Sequence, residues 1–393
     1  MIAELRIDTG ALRRNAARFA TLVAPARLGA VVKANGYGHG LVPVARALED
    51  VAARVLVYSG DEALALRAAG SEAELLVLGP VEPASLAALH QANVAITLWD
   101  EGAFARDIAR VGAALGRPFD VHAKVDTGVT RLGLEPARAA VALEAYGRDP
   151  ALRLRGVYTH LAAAEELESQ FTLQQLATFE TALAPLDAEL RARGVQRHAA
   201  ATAAAILFPK LRLDFVRVGI GLYGIWPSPE TEAAASGTLE LEPALAWTSE
   251  LVVVRDVEAG RSVGYGCTFH TARPSRIAVV PIGYAEGVPR ALSNRGAMLV
   301  HGKRAPIVGR VCMNMSFLDV TDVPQAQPGS RVTLIGRDGS ASISANEFGE
   351  WADTIGYEIV ARLPEAIPRR YVATSEIGAP LSAGASATRS SSR

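Results

Sequence analysis

The sequence holds little that would tie it to an oxidising compartment, a membrane or a polyanion. Cysteine occurs twice in 393 residues, at Cys267 and Cys312, too rarely for the disulfide framework of a small secreted fold. The N-terminus does not join a basic segment to an apolar core and a cleavage site, so the expectation is a cytoplasmic protein with reduced thiols. Apolar runs are broken by charge or glycine well short of the roughly 18 residues that span a bilayer. Net charge is scarce as well. The 40 basic and 41 acidic side chains leave −1, which gives no general field for nucleic acid or an anionic membrane. No cluster with metal-ligand spacing is evident, and the second half shows no repeat of about 20–50 residues. Small neutral or zwitterionic ligands remain.

What is present is apolar material: 50% of the residues are hydrophobic, enough for two ordinary domains with separate cores. Runs that read as buried strands recur at 28–32, 54–58, 74–78, 93–97 and 119–125, with weaker ones at 154–159, 195–200 and 213–217. The last two, 195–200 and 213–217, are the weakest assignments, alanine being a poor strand former. Helix-like segments lie between them, such as "DEALALRAAG", preceded by Ser59 with Glu62 at capping-box spacing, and "FTLQQLATFETALAPLDAELRARG", which ends in glycine. Eight apolar strands alternating with helices predict a parallel sheet closed into a (β/α)8 barrel. A doubly wound open sheet is the alternative. Past residue 227 an acidic, small-residue connector leads to alternating β-rich runs with glycine turns and then one helix, "SANEFGEWADTIGYEIVARL", with Ser344 or Asn346 as its cap. The expected division is a barrel over 1–232, a mostly antiparallel β domain over 233–376, and a disordered tail over 377–393 that lacks large apolar side chains.

In such a barrel the chemistry gathers at the C-terminal ends of the strands. Strand one ends at Lys33, strand five at Lys124 and Asp126 with Arg131 beyond, strand six at His160, strand seven near Thr202, and strand eight at Arg217 and Gly219. Two readings of Lys33 stand: a lysine snorkelling to the rim, or an amine of lowered proton affinity that attacks a carbonyl to form a Schiff base. The "GYGHG" that follows is not G-x-G-x-x-G spacing, so a dinucleotide turn is a weak alternative. Its glycines let the backbone approach a ligand while Tyr37 turns a hydroxyl to an anion. Arg217 before Gly219 suits a phosphate on exposed amides, but pairing with a structural carboxylate stays open. Lys124 and Arg131 are either surface residues or buried cations that need an anion between them. His160 reads either as a satisfied core histidine or as an imidazole facing a planar ring.

The motifs "AVVKANGYGHG", "KVDTG…RLG", "YTHLA", "VRVGIGLYG", "SVGYGCTF", "PIGYAEGVPR", "GRVCMN" and "TIGYEIV", in this order over about residues 3–372, closely resemble alanine racemases. That family consists of pyridoxal-phosphate enzymes with an N-terminal barrel and a C-terminal β domain. The resemblance implies two-base interconversion of L- and D-alanine through an external aldimine, supplying D-alanine for peptidoglycan. Lys33 matches the cofactor-bearing lysine and one catalytic base. Tyr265 matches the other base, which reaches the site from the partner subunit of a homodimer. Tyr37, Thr202, Tyr357 and the amides near Gly219 and Ile220 match phosphate ligands, His160 lies against the ring, and Arg217 faces its nitrogen. An arginine there leaves that nitrogen unprotonated and the ring a weaker electron sink, which favours racemisation over transamination. Arg131 matches the residue near the cofactor phenolate and substrate carboxylate, Met313 offers a backbone amide to that carboxylate, Tyr284 narrows the entrance, and Lys124 matches a lysine often carbamylated.

The chain departs from the family's usual pattern at Ala201, where asparagine is common, at Asn314 and Glu286, where aspartate is common, at Gly356 before Tyr357, and in "GVTR". None removes a base. Ala201 and Asn314 leave a broader amino-acid racemase, acting on serine for example, as an alternative. A pyridoxal-phosphate-binding protein without racemase activity usually lacks the β domain, and "SVGYG" and "VCMN" disfavour a decarboxylase of similar architecture. His39 acquires no role from the sequence.

Overall fold

The computed structural model describes residues 3–373, so the segment expected to form a tail, 377–393, lies outside the described residues. The first strand, β1 (Ala3–Asp8), precedes the barrel. Eight parallel strands then follow: β2 (Arg27–Val31), β3 (Arg54–Val57), β4 (Leu75–Val77), β5 (Val94–Leu98), β6 (Phe119–Lys124), β7 (Leu152–Tyr158), β8 (Gln196–His198) and β9 (Phe215–Val218). Their spatial order runs from β8 down to β2 and then β9. Helices cover the outside, so most strand residues are buried on both faces, which is why the strands read as continuous apolar runs.

The ring is nearly closed. Between β8 and β9 the ladder is thin: a parallel bridge joins Ala201 to Arg217, where the Arg217 amide donates to the Ala200 carbonyl at 2.9 Å, and the Asp214 amide donates to the Arg197 carbonyl at 3.0 Å. The expected strand 195–200 ends early at His198 because the alanines after it leave the ladder. That short seam brings Arg217 beside Ala199 and Ala200.

Past the barrel, β10 (Leu245–Glu250) pairs antiparallel with β1, with Leu5 opposite Trp247. The strand Arg369–Val372 lies parallel to β1 on its other side. The chain's first strand thus belongs to the mostly antiparallel sheets of the C-terminal half, and one hydrophobic core runs through both halves. Two helical expectations change. The segment 344–363 forms two helices, Ala345–Trp351 and Gly356–Ala361, because Asp353 turns left-handed at φ 57° and the Thr354 amide closes back on the Gly349 carbonyl at 3.0 Å. Ser344 caps the first, while Asn346 donates to the Trp226 carbonyl instead. The long helix after residue 169 is interrupted at Pro185 by a 3-10 turn, Ala184–Leu186.

The C-terminal half also reaches over the turn that follows β2. Arg369 Nε donates to the Gly38 carbonyl at 2.9 Å and the Tyr371 hydroxyl donates to the His39 carbonyl at 3.1 Å. Gly38, at φ +77°, lies so close to the helix Gly356–Ala361 that a Cβ would overlap the Val360 carbonyl. Gly70 has a similar φ of +87° but open space around it. Gly38→Ala should therefore lower stability by about 1–3 kcal/mol from steric overlap on top of backbone strain. Gly70→Ala should lose only the left-handed penalty of about 1–2 kcal/mol. Urea unfolding midpoints compare the two, and a Gly38 variant no less stable than the Gly70 variant would remove the clamp from the account.

Candidate functional site

Lys33 follows the apolar end of β2 and opens a turn that the backbone makes with the wrong hand. Ala34, Asn35, Gly36 and Tyr37 all have φ between 50° and 60°, the left-handed region that only glycine enters without penalty. The turn is held by its own bonds. The Gly36 amide donates to the Val32 carbonyl at 2.8 Å, Gly38 to Ala34 at 2.9 Å, and Gly40 to Asn35 at 2.8 Å. The Asn35 side-chain oxygen accepts from the Leu41 amide at 2.8 Å, and Glu62 accepts from the Asn35 amide at 3.2 Å. Glu62 also completes the capping box with Ser59 at the head of the helix Gly60–Ala68. His39 has a structural task here: its Nδ1 donates to the Tyr37 carbonyl at 2.8 Å, and its ring packs on Tyr223 with centroids 4.6 Å apart.

This turn sends two side chains to the barrel mouth. The Lys33 amine is mostly covered and has no hydrogen-bond partner among the described residues. Its proton affinity is lowered by burial and then by the Arg131 charge, with Glu62 opposing. Tyr37 is buried, and burial pushes its hydroxyl pKa up. The hydroxyl lies against Gly219, where a Cβ would collide with it. The Thr202 hydroxyl accepts from the Gly219 amide at 3.1 Å, and the chain then enters the 3-10 turn Ile220–Tyr223, whose first amides lack partners within the turn. The Tyr357 ring lies 6.4 Å from that of Tyr37. Two hydroxyls, those of Tyr37 and Thr202, and a helical start therefore converge at Gly219, with the Tyr357 ring beside them.

Arg217 occupies the interior side. Its guanidinium donates to the carbonyls of Thr159 at 2.8 Å and Ala199 at 2.9 Å, and meets His198 Nδ1 at 2.8 Å and His160 Nδ1 at 3.3 Å. None of these partners is a carboxylate, which removes the structural ion-pair reading. Burial lowers its pKa to about 10, so it stays protonated at neutral pH. Arginine only donates, so His160 accepts at Nδ1 and carries its proton on Nε2. Burial, followed by Arg217, Arg131, Lys124 and Lys33, pushes the His160 pKa down to about 3.

Lys124 is buried, and its amine donates to the Leu132 carbonyl. Burial brings its pKa down to about 8, with Asp126 opposing and Arg131 and Arg217 adding to the shift. The Asp126 carboxylate accepts from the amides of Gly128, Val129, Thr130 and Arg131 at 2.6–3.1 Å. It shapes the loop that presents Arg131, whose side chain is exposed.

Tyr265, Tyr284 and Met313 stand apart from this group. They project from loops of the C-terminal half, with Tyr265 72% exposed, and no hydrogen bond or ring contact among the described residues joins them to Lys33. Tyr284 and Met313 belong to one rigid unit, since the amides of Tyr284 and Ala285 donate to the carbonyls of Cys312 and Met313 at 3.1 and 2.9 Å. Glu286 accepts from Asn314 Nδ2 at 2.7 Å and from the Gly283 amide at 2.8 Å. Two departures from the family pattern are thus one matched pair. His198 and His122, buried behind Arg217, are not among the residues selected from the sequence. Their signal is an inward-facing position near the end of a barrel strand, in "FDVHAK" and "QRH".

Fold and site define a (β/α)8-barrel enzyme with a lysine of lowered proton affinity at the C-terminal rim of the barrel and a β domain that carries further exposed groups. Residues 7–227 match the family model for the alanine racemase N-terminal domain and residues 244–371 that for the C-terminal domain. The alanine racemase of Symbiobacterium thermophilum is 42% identical over 369 residues, which cover 93% of this chain and 96% of that protein. That of Halothermothrix orenii is 39% identical over 342 residues, 87% of this chain and 89% of its own. Among solved structures, the alanine racemase of D-cycloserine-producing Streptomyces lavendulae superimposes with a TM-score of 0.86 at 33% identity, over 95% of this chain and 97% of that one. The Bacillus anthracis enzyme with bound L-Ala-P gives 0.83 at 34% identity, over 94% and 95%. The chain belongs to the alanine racemase family.

The buried histidines give the site an acid-sensitive scaffold. His39, with a pKa lowered to about 4, and His160, lowered to about 3, stay neutral when folded, and burial holds His122 and His198 well below the ordinary 6.5. The unfolded chain takes up protons that the folded chain refuses. Stability from these groups is therefore full above about pH 6.5 and falls with pH, for His39 until about pH 4, by about 1.4 kcal/mol per pH unit for each histidine. Urea midpoints at pH 7, 6 and 5 should decline steadily, and equal midpoints at all three would contradict neutral burial.

Proposed function

We propose that the residues around Lys33 racemise alanine, using pyridoxal 5'-phosphate as cofactor and a second copy of the chain to complete each site. One observation carries the reading: an amine of reduced proton affinity stands on a fixed turn, in a rim that also holds Arg217 bonded only to neutral acceptors. The residues present fit the cofactor. Lys33 would be the nucleophile for its aldehyde, and Tyr37, Thr202, Tyr357 and the amides at Gly219 and Ile220 would hold its phosphate beside the glycine that lets the Tyr37 hydroxyl approach. His160 and Arg217 would take its ring. When bound, the cofactor delocalises charge from Cα and so acidifies the Cα proton of the amino acid.

The chain's own groups do the rest. Lys33, once its amine is free, exchanges a proton with Cα on one face, and its lowered proton affinity suits it to accept as well as to give. Tyr265 of a second copy exchanges a proton on the other face, so the α-carbon returns inverted. Arg217, which keeps its proton, would donate to the nitrogen of the cofactor ring and would thereby limit electron withdrawal, favouring return of the proton to Cα. Arg131 and the Met313 amide orient the substrate carboxylate, and Tyr284 narrows the entrance. The D-alanine produced is a precursor for peptidoglycan. Broader amino-acid racemisation is the second reading, favoured by Ala201, which puts a methyl group at the barrel mouth; turnover of serine beside alanine tests it.

Lys124 is the group for carbamylation. With a pKa near 8 part of it is neutral at pH 7.5. The amine attacks carbon dioxide, an N–C bond forms, one proton leaves to solvent, and the resulting anion faces Arg131 instead of repelling it. Enzyme equilibrated with 13C-bicarbonate should show a carbamate resonance that Lys124→Ala abolishes; a spectrum without it would exclude the modification.

Borohydride reduction of the holoenzyme should fix the cofactor to Lys33 alone, and label on another lysine would overturn the assignment. Lys33→Ala and Tyr265→Phe should each be inactive as pure proteins. Hybrids formed from equal amounts should recover about one quarter of wild-type activity, since half the dimers carry one intact site of two. Verified hybrids without activity would mean that the site is not shared.

A further inference from the structure

Behind Arg217 lies a line of buried polar groups that the reaction above does not use. Arg217 Nη1 meets His198 Nδ1 at 2.8 Å, His198 Nε2 meets His122 Nδ1 at 3.0 Å, and His122 Nε2 meets Arg54 Nη1 at 3.2 Å. Both imidazoles are fully buried, and both arginines nearly so. The barrel is built to hold this line. At His122 the pairing of β6 with β7 shifts register, so that His122 faces Gly156, where a Cβ would collide with its Nδ1. His198 stacks on Tyr158, with centroids 4.6 Å apart and planes at 10°, and packs on Phe215 at 4.0 Å.

The arrangement is short of an acceptor. A neutral imidazole has one donating and one accepting nitrogen, so two in series present one acceptor end and one donor end. Both ends meet arginines, which can only donate. A protonated ring would make the shortage worse, and burial beside Arg54, Arg155 and Arg217 opposes it. One arginine is therefore served and the other faces an N–H. Arg54 has other partners, the Glu74 carboxylate at 2.7 Å and Gln196 Oε1 at 3.2 Å. Arg217 has no carboxylate, and its contact with the line is the shorter of the two. The line is polarised toward Arg217.

We propose that His198 and His122 are positioning residues: a two-imidazole wire, each ring carrying its proton on Nε2, that holds Arg217 as a fixed donor and leaves Arg54 the unserved end. The proposal rests on the reading of Arg217 as the partner of the cofactor ring. His122 thereby acts on the reaction without touching it. Arg217 anchors its guanidinium through His198, and His198 can accept at Nδ1 only while His122 takes its Nε2 proton.

The test has two arms, both on the holoenzyme. In 15N-histidine-labelled protein between pH 6 and 8, the resonances of His198 and His122 should each show a neutral ring protonated at Nε2. A proton on His198 Nδ1, or a doubly protonated ring, would overturn the wire. The second arm compares His122→Leu with His122→Asn, whose amide oxygen can replace the Nδ1 acceptor. The leucine variant should bind cofactor fully, show a shifted absorbance band and lose kcat roughly ten-fold with KM for alanine within about two-fold. The asparagine variant should recover most of both. A leucine variant with unchanged band and kcat, or an asparagine variant as impaired as the leucine one, would defeat the positioning role. If the leucine variant fails to fold, the wild-type resonances and the asparagine variant still decide. A wild-type enzyme that does not racemise alanine would defeat the functional reading while leaving the resonances to judge the wire.

Discussion

The left-handed turn after β2 is the constraint on which the rest depends. Three residues with a Cβ, Ala34, Asn35 and Tyr37, sit at positive φ, a penalty of roughly 1–2 kcal/mol each. Such backbone persists only when its surroundings over-determine it. Here they do: the turn's own amide bonds, His39 inside it, Glu62 from the next helix, and Arg369 and Tyr371 from the far end of the chain all hold it. The turn presents an amine at the end of one strand and swings a phenol across to the end of another. A right-handed continuation would carry Tyr37 away from Gly219. Because Arg369 and Tyr371 belong to the C-terminal half, they tie barrel and β domain together at this turn.

A second constraint follows from charge. Lys33, Lys124, Arg131 and Arg217 influence one another across the rim, while Asp126 is occupied with backbone amides. The rim is therefore electropositive and keeps its imidazoles neutral. That balance suits a ligand with phosphate and carboxylate groups, and together with burial it lowers the proton affinity of both lysines. The same logic reaches inward. Arg217 is buried against carbonyls and imidazoles, acceptors that stabilise its charge without neutralising it.

Much of this was legible from the residues. The strand runs gave the barrel because strands buried on both faces carry no polar alternation, and Lys33 was visible as a cation ending such a run. The hand of its turn was not, since "ANGY" reads equally as an ordinary helical start; the bonds that help to hold the left-handed form include those from Arg369 and Tyr371, some 330 residues away in sequence. His39 was conspicuous but unassigned because its bond is to the backbone. His198 and His122 were passed over because one histidine in an apolar strand is usually a satisfied core residue, and nothing local tells that two such rings touch. The break at Asp353 was hidden as well: it depends on Gly349 packing closely against Ile355 and Gly356, whereas the apolar spacing continues across it.

The exposed groups of the C-terminal half make the remaining point. Tyr265 is among the most exposed aromatics, yet its backbone is tightly set: Gly264 and Gly266 take φ of +74° and +71° against Arg310, and Gly309, facing the Val263 carbonyl, donates to Asn294 at 2.6 Å. Tyr284 and Met313 are exposed on strands of loop tied together by two amide bonds and braced by the buried Glu286 with Asn314. An aspartate at 314 would set a second carboxylate against Glu286, so the two residues have to be read together. Large apolar side chains on a backbone already fixed lose only their own rotamer freedom when something covers them, which favours a surface that meets a partner. The barrel provides an amine and a set of cations with a fixed geometry, and the β domain provides a phenol with a fixed backbone and nothing of its own to act on.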